Sequence, residues 1–156
     1  DRVVPMDMHV PTESSLVLLE DIVMNDRIKL DPSRNDFPVT LHDPCNITRS
    51  MGIIQPQRNI LKKICPQFRE MTPHGVDNYC CGGGGGTVSV DEIREFRTLT
   101  GGQAKADQIR ATGAEMVVMP CHSCHGQISS LKSHYEMEDL EVKYLWELVA
   151  DCLILP

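Results

Sequence analysis

The chain has 156 residues, 41% hydrophobic and 24% charged, which is enough for one globular domain with a sizeable core. Its formal net charge of −7, without any Lys/Arg cluster, argues against a nucleic-acid-binding surface. No run approaches the roughly 18 apolar residues of a membrane-spanning helix, so direct membrane insertion is not expected. The sequence begins at Asp1 with neither Met nor a leader pattern, and we expect a fragment or processed form of a longer protein.

The cysteine content indicates the redox compartment. Seven cysteines are an odd number in a chain too long for a disulfide-stabilised miniprotein. Adjacent cysteines such as Cys80 and Cys81 pair poorly with each other, so an extracellular disulfide framework is not expected. The cysteine content fits better with thiolate chemistry or metal binding in a reducing compartment. We therefore predict a cytoplasmic protein.

Strand and helix patterns alternate along the chain. The predicted strands are short apolar runs at residues 38–42, 68–71, 114–119 and 140–143. The predicted helices cover residues 12–26, 56–64, 89–100, 103–112, 128–135 and 144–153. The run at 114–119 is nearly continuous in apolar residues, which is typical of a strand buried on both faces of a parallel sheet. The pattern predicts an α/β layered fold with a mainly parallel sheet flanked by helices.

Two helix ends carry explicit sequence signals. Ser89 and Glu92 match a capping box, so a helix is predicted to start there and to continue to the Gly101-Gly102 pair. Gly113 is expected to end the helix that follows this pair. The buried stripe of the first of these helices is predicted to consist of Ile93, Phe96 and Leu99.

A C-x-x-C element stands at Cys121 and Cys124, a spacing that lets two sulfurs on a tight turn face one ion. Alone, the element fits a zinc half-site, an iron–sulfur half-site or a thioredoxin-like redox pair. His125 extends it to C-x-x-C-H, the attachment signature of c-type haem, but haem attachment would leave the other cysteine motifs unexplained.

The sharpest signal is Cys80-Cys81 followed by five glycines, from Gly82 to Gly86. Both cysteines can serve one centre only where the backbone folds closely around something larger than a single ion. Glycines such as Gly82 and Gly83 permit this, because they adopt positive φ angles and expose N–H groups that donate to sulfur. A flexible linker does not need two cysteines at its start, and a nucleotide-binding loop would need Gly-Lys-Ser/Thr.

Two of the cysteine motifs directly follow predicted strands, at Cys45 and at Cys121. Ligands bind beyond the carboxyl ends of parallel strands, so we expect both motifs at one edge of the sheet. The five cysteines of the three motifs are therefore predicted to converge on one metal centre.

Two cysteines and three histidines remain near these motifs. Cys65 and Cys152 are interpreted as buried apolar residues. His42, His74 and His122 are candidate hydrogen-bond donors to the centre, although a solvated or core position is the simpler interpretation of each.

The arrangement of Cys45, Cys80-Cys81-Gly82 and Cys121-x-x-Cys124 resembles the cysteine-rich CCG domain of heterodisulfide reductases and their relatives. The resemblance covers most of the chain from Thr12 onward, including residues 39–45, Pro56-x-Arg58, Gly113-Ala114 and 142–148. Within this family, residues 79–94 and 102–109 are similar to the heterodisulfide-reductase-like subunit of the membrane complex associated with sulfite reduction.

The resemblance implies a noncubane 4Fe-4S cluster held by Cys45, Cys80, Cys81, Cys121 and Cys124, with one sulfur of the adjacent pair bridging irons. It also implies that Cys80 and Cys81 take part in catalysis, in which an accessible iron captures a substrate sulfur while electrons arrive singly. The expected substrate is a cysteine-based disulfide or trisulfide on a small sulfur-carrier protein.

Full-length members of the family carry ferredoxin motifs and this sequence has none, so we expect one domain over residues 1–156 that forms the C-terminal part of a longer subunit. The expected partners are other subunits of a membrane-associated electron-transfer complex at the cytoplasmic face, ferredoxin-type cubane clusters on a missing domain, and the sulfur carrier. The alternative is a non-catalytic zinc module that uses four of the same cysteines, because a four-thiolate zinc site needs no fifth sulfur.

Overall fold

In the computed structural model, which describes residues 12–84 and 89–155, four short strands form one all-parallel sheet. The strands are β1 Val39–Leu41, β2 Phe68–Arg69, β3 Met116–Met119 and β4 Glu141–Tyr144. Their spatial order is β2-β1-β3-β4, which places β1 and β3 side by side at the centre. The predicted α/β fold with a parallel sheet is confirmed.

Helices cover both faces of this sheet. They are α1 Ser15–Met24, α2 Gln55–Ile64, the single turn α3 Arg94–Phe96, α4 Gln103–Thr112, α5 His122–His134 and α6 Leu145–Asp151. Within the described ranges, no helix is both long and apolar enough to cross a membrane. Gly113 caps α4 with a φ of +60°, as its position at the end of the apolar pattern predicts.

Strand β3 divides the hydrophobic core in two. Its four residues are all buried, and alternate side chains point to opposite faces of the sheet. Met116 and Val118 pack with α1, α2 and α6, whereas Val117 and Met119 pack with α4 and α5. Burial on both faces explains why this strand has no polar position, which is the pattern expected of a parallel sheet covered by helices.

The carboxyl ends of β1 and β3 meet at the same edge of the sheet. Leu41 pairs with Val118, and the backbone N–H of His42 donates to the carbonyl of Val118 across 2.9 Å. The chain continues from these strands directly into the segments that carry Cys45 and Cys121. The predicted placement of the cysteine motifs at the carboxyl ends of strands is therefore confirmed.

The prediction for the segment after the glycine loop is wrong. The segment is a 3-10 turn at Asp91–Ile93, the single turn α3 and a π-helical stretch at Arg97–Gly101, so a period of 3.6 residues does not hold along it. Val90 precedes its first turn without a side-chain cap, so the Ser89–Glu92 capping box is not formed. As a result the predicted stripe is exposed, with exposed fractions of 39% for Ile93, 70% for Phe96 and 41% for Leu99.

Helix α5 begins six residues earlier than predicted, at His122 instead of residue 128. Cys124, Ile128 and Leu131 are buried and lie on one face of it, at a spacing that fits a helix once the cysteine is counted as apolar. Cys121 is the residue before the helix, and Cys124 lies in its first turn. The C-x-x-C element is therefore a helix start and not an isolated turn.

Candidate metal centre

The three cysteine motifs meet beyond the carboxyl edge of the sheet. The Sγ atoms of Cys81 and Cys124 lie 3.4 Å apart, and the thiols of Cys81 and Cys45 are close enough to Cys80 to shift its pKa. These four residues, which we call the thiol cluster, thus bring together sulfurs from three separate parts of the sequence. Cys121 is half-buried against the core that contains Cys81 and Cys124. The structure therefore brings four predicted ligands close together and places the fifth beside them.

The exposure of the five sulfurs follows a gradient. Cys81 and Cys124 are buried, with exposed fractions of 2% and 4%, while Cys45 and Cys121 are half-buried. Cys80 is exposed to solvent. A group held by these residues would be enclosed on the side of the core and accessible on the side of Cys80.

The glycine loop wraps the two adjacent cysteines as the sequence predicts. Gly82 has a φ of +85°, a conformation that favours glycine. Its N–H donates to the Sγ of Cys80 across 3.3 Å, and the N–H of Gly83 donates to the Sγ of Cys81 across 3.4 Å. Gly85 and Gly86 lie outside the described residues. The backbone of the described part of the loop thus supplies hydrogen-bond donors to both sulfurs.

Gly83 has no room for a side chain, which gives a prediction with a matched control. A Cβ at Gly83 would lie 2.6 Å from the Cβ of Gln127 and 2.9 Å from the carbonyl oxygen of Ser123. We expect Gly83→Ala to lower the free energy of unfolding by about 1–3 kcal/mol, because the loop must move away from α5. Gly84→Ala meets nothing within 4 Å and should change it by less than about 0.5 kcal/mol. Urea unfolding of both variants tests this, and equal stabilities would contradict it.

A buried ion pair fixes the segment between β1 and Cys45. Asp43 accepts hydrogen bonds from Arg58 at 2.9 and 2.6 Å, and from the N–H of Gly75 at 2.7 Å. The side chains of Asp43 and Arg58 are 0% and 4% exposed, and Arg58 also donates to Glu70. Burial would raise the pKa of Asp43, but the bonds from Arg58 and Gly75 outweigh it and lower the pKa. Asp43 is therefore an ionised carboxylate that shares the Arg58 guanidinium with Glu70.

His42 lies beside the buried thiols. It is 1% exposed, and one of its ring nitrogens lies within 4.8 Å of the sulfurs of Cys81 and Cys124. Its Nδ1 lies 3.5 Å from the side-chain nitrogen of Asn78, and its Nε2 is buried without a partner among the described residues. Burial, and then the charge of Lys105, lower the pKa of His42 well below its usual value. The ring is therefore a neutral N–H donor beside the thiols.

Lys105 and Asn78 are the residues of this region that sequence reasoning missed. Lys105 is 0% exposed, and its Nζ donates to Asn78 Oδ1 across 2.7 Å. Asn78 in turn donates to the carbonyl of Asp43 across 2.8 Å. A signal was available, because Lys105 lies one helical turn before the buried Ile109 and hence on the inward face of α4.

Mutual contact and burial keep the thiols of Cys80 and Cys81 neutral. The contact with Cys124, followed by burial, raises the pKa of Cys81 to about 12. The contact with Cys81, followed by burial, likewise raises the pKa of Cys80. Metal ions bind thiolates, so binding here would release protons and would strengthen as the pH rises.

The other histidines near the cysteine motifs make their contacts outside the thiol cluster. His74 is exposed, with its Nδ1 3.1 Å from the carbonyl of Met71, and His122 bonds with the hydroxyl of Tyr144. His125 stacks on the ring of Tyr144 at 4.5 Å between centroids. Of the three candidate histidines, all within the described residues, only His42 joins the thiols.

Cys65 and Cys152 are buried, as predicted, in the core on the other face of the sheet. The pKa of Cys65 is raised to about 12, first by burial and then by the proximity of Cys152. Both therefore behave as apolar residues that are separate from the thiol cluster.

The donor set fits a thiolate-bound iron–sulfur cluster. Cysteine thiolates bind both zinc and iron–sulfur clusters, but five cysteines exceed the four ligands of a tetrahedral zinc site. Hydrogen bonds to sulfur, such as those from Gly82 and Gly83, are among the contacts that set the reduction potential of iron–sulfur clusters.

Comparison with known proteins decides the family. The sequence model of the CCG family, described as a cysteine-rich domain, matches residues 39–129, which is more than half of the chain. The chain belongs to the CCG family of cysteine-rich domains. The matched residues of this CCG domain run from β1 into α5 and include all five motif cysteines. The resemblance inferred from the cysteine motifs is confirmed.

Three relatives illustrate the similarity of this CCG domain. The Hdr-like menaquinol oxidoreductase iron-sulfur subunit 2 of Archaeoglobus fulgidus is 30% identical over 86% of the chain and 25% of its own length. A dihydromethanophenazine:CoB–CoM heterodisulfide reductase subunit of Methanosarcina acetivorans is 32% identical over 80% of the chain and 31% of its own length. A fumarate reductase (CoM/CoB) subunit of Methanothermobacter marburgensis is 34% identical over 80% of the chain and 24% of its own length.

The CCG domain thus spans about a quarter to a third of these relatives. No solved structure gave a significant match. The names of the relatives give no support to the zinc alternative.

Proposed function

We propose that this CCG domain holds an iron–sulfur cluster through Cys45, Cys80, Cys81, Cys121 and Cys124 and serves as the iron–sulfur part of a heterodisulfide-reductase-like electron-transfer subunit. The observation that carries the proposal is the contact of the Cys81 and Cys124 sulfurs from two motifs, with Cys45 and Cys80 next to them and a half-buried Cys121 beside them. The names of the relatives, which include iron-sulfur and heterodisulfide reductase subunits, support the same assignment.

The exposure gradient supports a catalytic role at Cys80 and Cys81. When bound, a noncubane 4Fe-4S cluster would exchange single electrons and offer an iron to a substrate sulfur. Cys81 is buried and would anchor the group, while Cys80 is exposed and would border the face that a substrate reaches. The N–H groups of Gly82 and Gly83 would orient both sulfurs. Cys124 would hold the group from the side of α5.

We propose a disulfide or trisulfide on a small sulfur-carrier protein as the substrate, in sulfur metabolism. A cleft of about 340 Å³ beside the glycine loop is lined by Arg94, Arg97 and His122. The side chain of Arg97 lies against Gly82, so the cleft is close to the glycine loop. The guanidinium group of the exposed Arg94 would suit an anionic group of the substrate.

The proposed partners lie outside this chain. They are other subunits of a membrane-associated complex at the cytoplasmic face and ferredoxin-type cubane clusters, which would deliver electrons to this CCG domain. The larger size of the relatives supports a donor on other segments or subunits.

Anaerobic purification followed by iron, sulfide and zinc analysis tests the proposal. We expect roughly four iron and four sulfide per chain after reconstitution, and a paramagnetic spectrum in one redox state. Adding a disulfide to the same sample should change that spectrum, whereas adding the matching thiol should not. Stoichiometric zinc without sulfide, even after anaerobic reconstitution, would reject the iron–sulfur assignment.

A further inference from the structure

Lys105 is a buried ammonium group whose partners carry no charge. Its Nζ donates to the side-chain oxygens of Asn78 and Gln108 and lies 3.7 Å from the sulfur of Met71. None of these acceptors is a carboxylate, and the side chain is fully buried on the inward face of α4. An ammonium group is costly to bury without a negative partner. The groups near Lys105 that can carry negative charge therefore indicate what offsets this cost.

The nearby carboxylate of Asp43 acts on Lys105 but already has a buried cation of its own, Arg58. It accepts two hydrogen bonds from Arg58 and one from Gly75. The other groups that would act on Lys105 with negative charge, once they are deprotonated, are the sulfurs of Cys80, Cys81 and Cys124. These are members of the thiol cluster, which gains negative charge when its protons are replaced by a bound metal centre.

A continuous polar chain connects Lys105 to those sulfurs. Asn78 accepts from Lys105 through Oδ1, and its Nδ2 lies 3.5 Å from Nδ1 of His42. A histidine that accepts at Nδ1 carries its proton on Nε2, the atom that is buried without a partner among the described residues. A ring nitrogen of His42 lies within 4.8 Å of the sulfurs of Cys81 and Cys124. The polar chain thus ends at the His42 ring, beside the sulfurs of Cys81 and Cys124.

We propose that Lys105, Asn78 and His42 form a buried polar chain that stabilises the added negative charge of the metal centre in its reduced state, with Lys105 as the counter-ion. The inference rests on the proposed function, because it needs a redox-active group on the thiol cluster. In the step concerned, one electron passes from an external one-electron donor to the centre, and no proton or covalent bond changes. Burial lowers the pKa of Lys105 to about 8, so the side chain is an ammonium group below that pH. A positive charge in a region of low dielectric favours the more negative state, so protonated Lys105 raises the reduction potential.

The test uses the 156-residue chain reconstituted anaerobically with iron and sulfide. Dithionite is the electron donor, and a redox titration is followed by electron paramagnetic resonance. Lys105→Met removes the buried charge with little change in volume. We expect this variant to retain iron and sulfide. At a fixed potential, its ratio of reduced to oxidised centres should be at least tenfold lower than in the wild-type chain, which corresponds to a shift of about 59 mV in the potential of a one-electron couple.

Two further variants separate charge from structure. Lys62→Met removes the same charge from an exposed position on α2, and its ratio should stay within about twofold of wild type because exposed charges are screened. Asn78→Asp leaves Lys105 in place but gives it a carboxylate partner, so the ratio should fall in the same direction as in Lys105→Met. Lys105→Arg retains the positive charge, so its reduced-to-oxidised ratio should stay close to that of the wild-type chain.

The outcomes distinguish this inference from the proposed function. Iron and sulfide at the wild-type level with an unchanged potential in both Lys105→Met and Asn78→Asp would overturn the role of the polar chain alone. Absence of iron and sulfide from the wild-type chain would overturn the proposed function and the inference together. A purely structural role of Lys105 would lower the cluster content without shifting the potential of the clusters that remain. If Lys105→Met does not fold, the reduction potential of Asn78→Asp tests the role of the polar chain by itself.

Discussion

Replacing Cys81 by Ser is expected to lower the iron and sulfide content of the reconstituted chain by roughly tenfold or more. Cys81 is the buried member of the adjacent pair, and its sulfur lies 3.4 Å from that of Cys124 and accepts from the N–H of Gly83. A serine hydroxyl is a poor ligand for iron that prefers thiolate. The measurement is iron and acid-labile sulfide per folded chain, together with the paramagnetic spectrum.

The two cysteines of the opposite core provide the control. Cys65→Ala and Cys152→Ala each remove a buried thiol on the other face of the sheet, so they should leave iron and sulfide at the wild-type level. Loss of iron from either variant would mean that the ligand set is assigned incorrectly. An unchanged spectrum in Cys81→Ser would remove that residue from the ligand set.

The parts of the fold that follow from the sequence are those in which one local rule determines the structure. Met116–Met119 is apolar at every position because both of its faces are covered, and this signal is unambiguous in a chain of alternating strands and helices. Gly113 ends α4 because its φ of +60° is unfavourable for other residues. The convergence of Cys45 and Cys121 then follows from the parallel direction of β1 and β3.

The segment that follows the glycine loop could not be predicted because its helical period changes twice. Residues Asp91–Ile93 and Arg97–Gly101 have different numbers of residues per turn, so the spacing of Ile93, Phe96 and Leu99 does not define one face. Arg97 and Thr98 are the buried residues instead. The tertiary contacts of this segment, including the hydrogen bond from Tyr135 to the carbonyl of Thr98, have no signal in the local sequence.

The ligand candidates and His42 could be identified from the sequence, whereas Lys105 and Asn78 were missed. Cysteines at Cys80-Cys81 and Cys121-x-x-Cys124 are rare enough to stand out. Lysine and asparagine are common and usually exposed, so Lys105 and Asn78 carry no signal of burial in their own identity. Their burial depends on α4 packing against the loop before Cys80, which only the three-dimensional structure reveals.

The second large effect is expected at Arg58, which supports the cysteine site from outside it. Arg58→Met should lower the free energy of unfolding by about 3–5 kcal/mol, because it leaves the fully buried carboxylate of Asp43 without its cation. That is a large share of the roughly 5–15 kcal/mol by which ordinary domains are stable. Urea unfolding of the metal-free chain measures the change. Arg27→Met, which breaks an exposed ion pair with Asp21, should cost less than about 1 kcal/mol.

The pH dependence of this loss separates the effect of charge from the effect of packing. In the wild-type chain the pKa of Asp43 is lowered from 3.8, so its contribution to stability is present above that value and is lost as the pH falls through the folded-state pKa. In Arg58→Met, burial acts on Asp43 without the opposing cation and raises its pKa, so the carboxyl group becomes neutral in acid and its cost disappears. We therefore expect the difference in stability between the two chains to be largest near neutral pH and to shrink below about pH 4. A difference of the same size at every pH would mean that Arg58 stabilises the segment before Cys45 through packing and not through its charge.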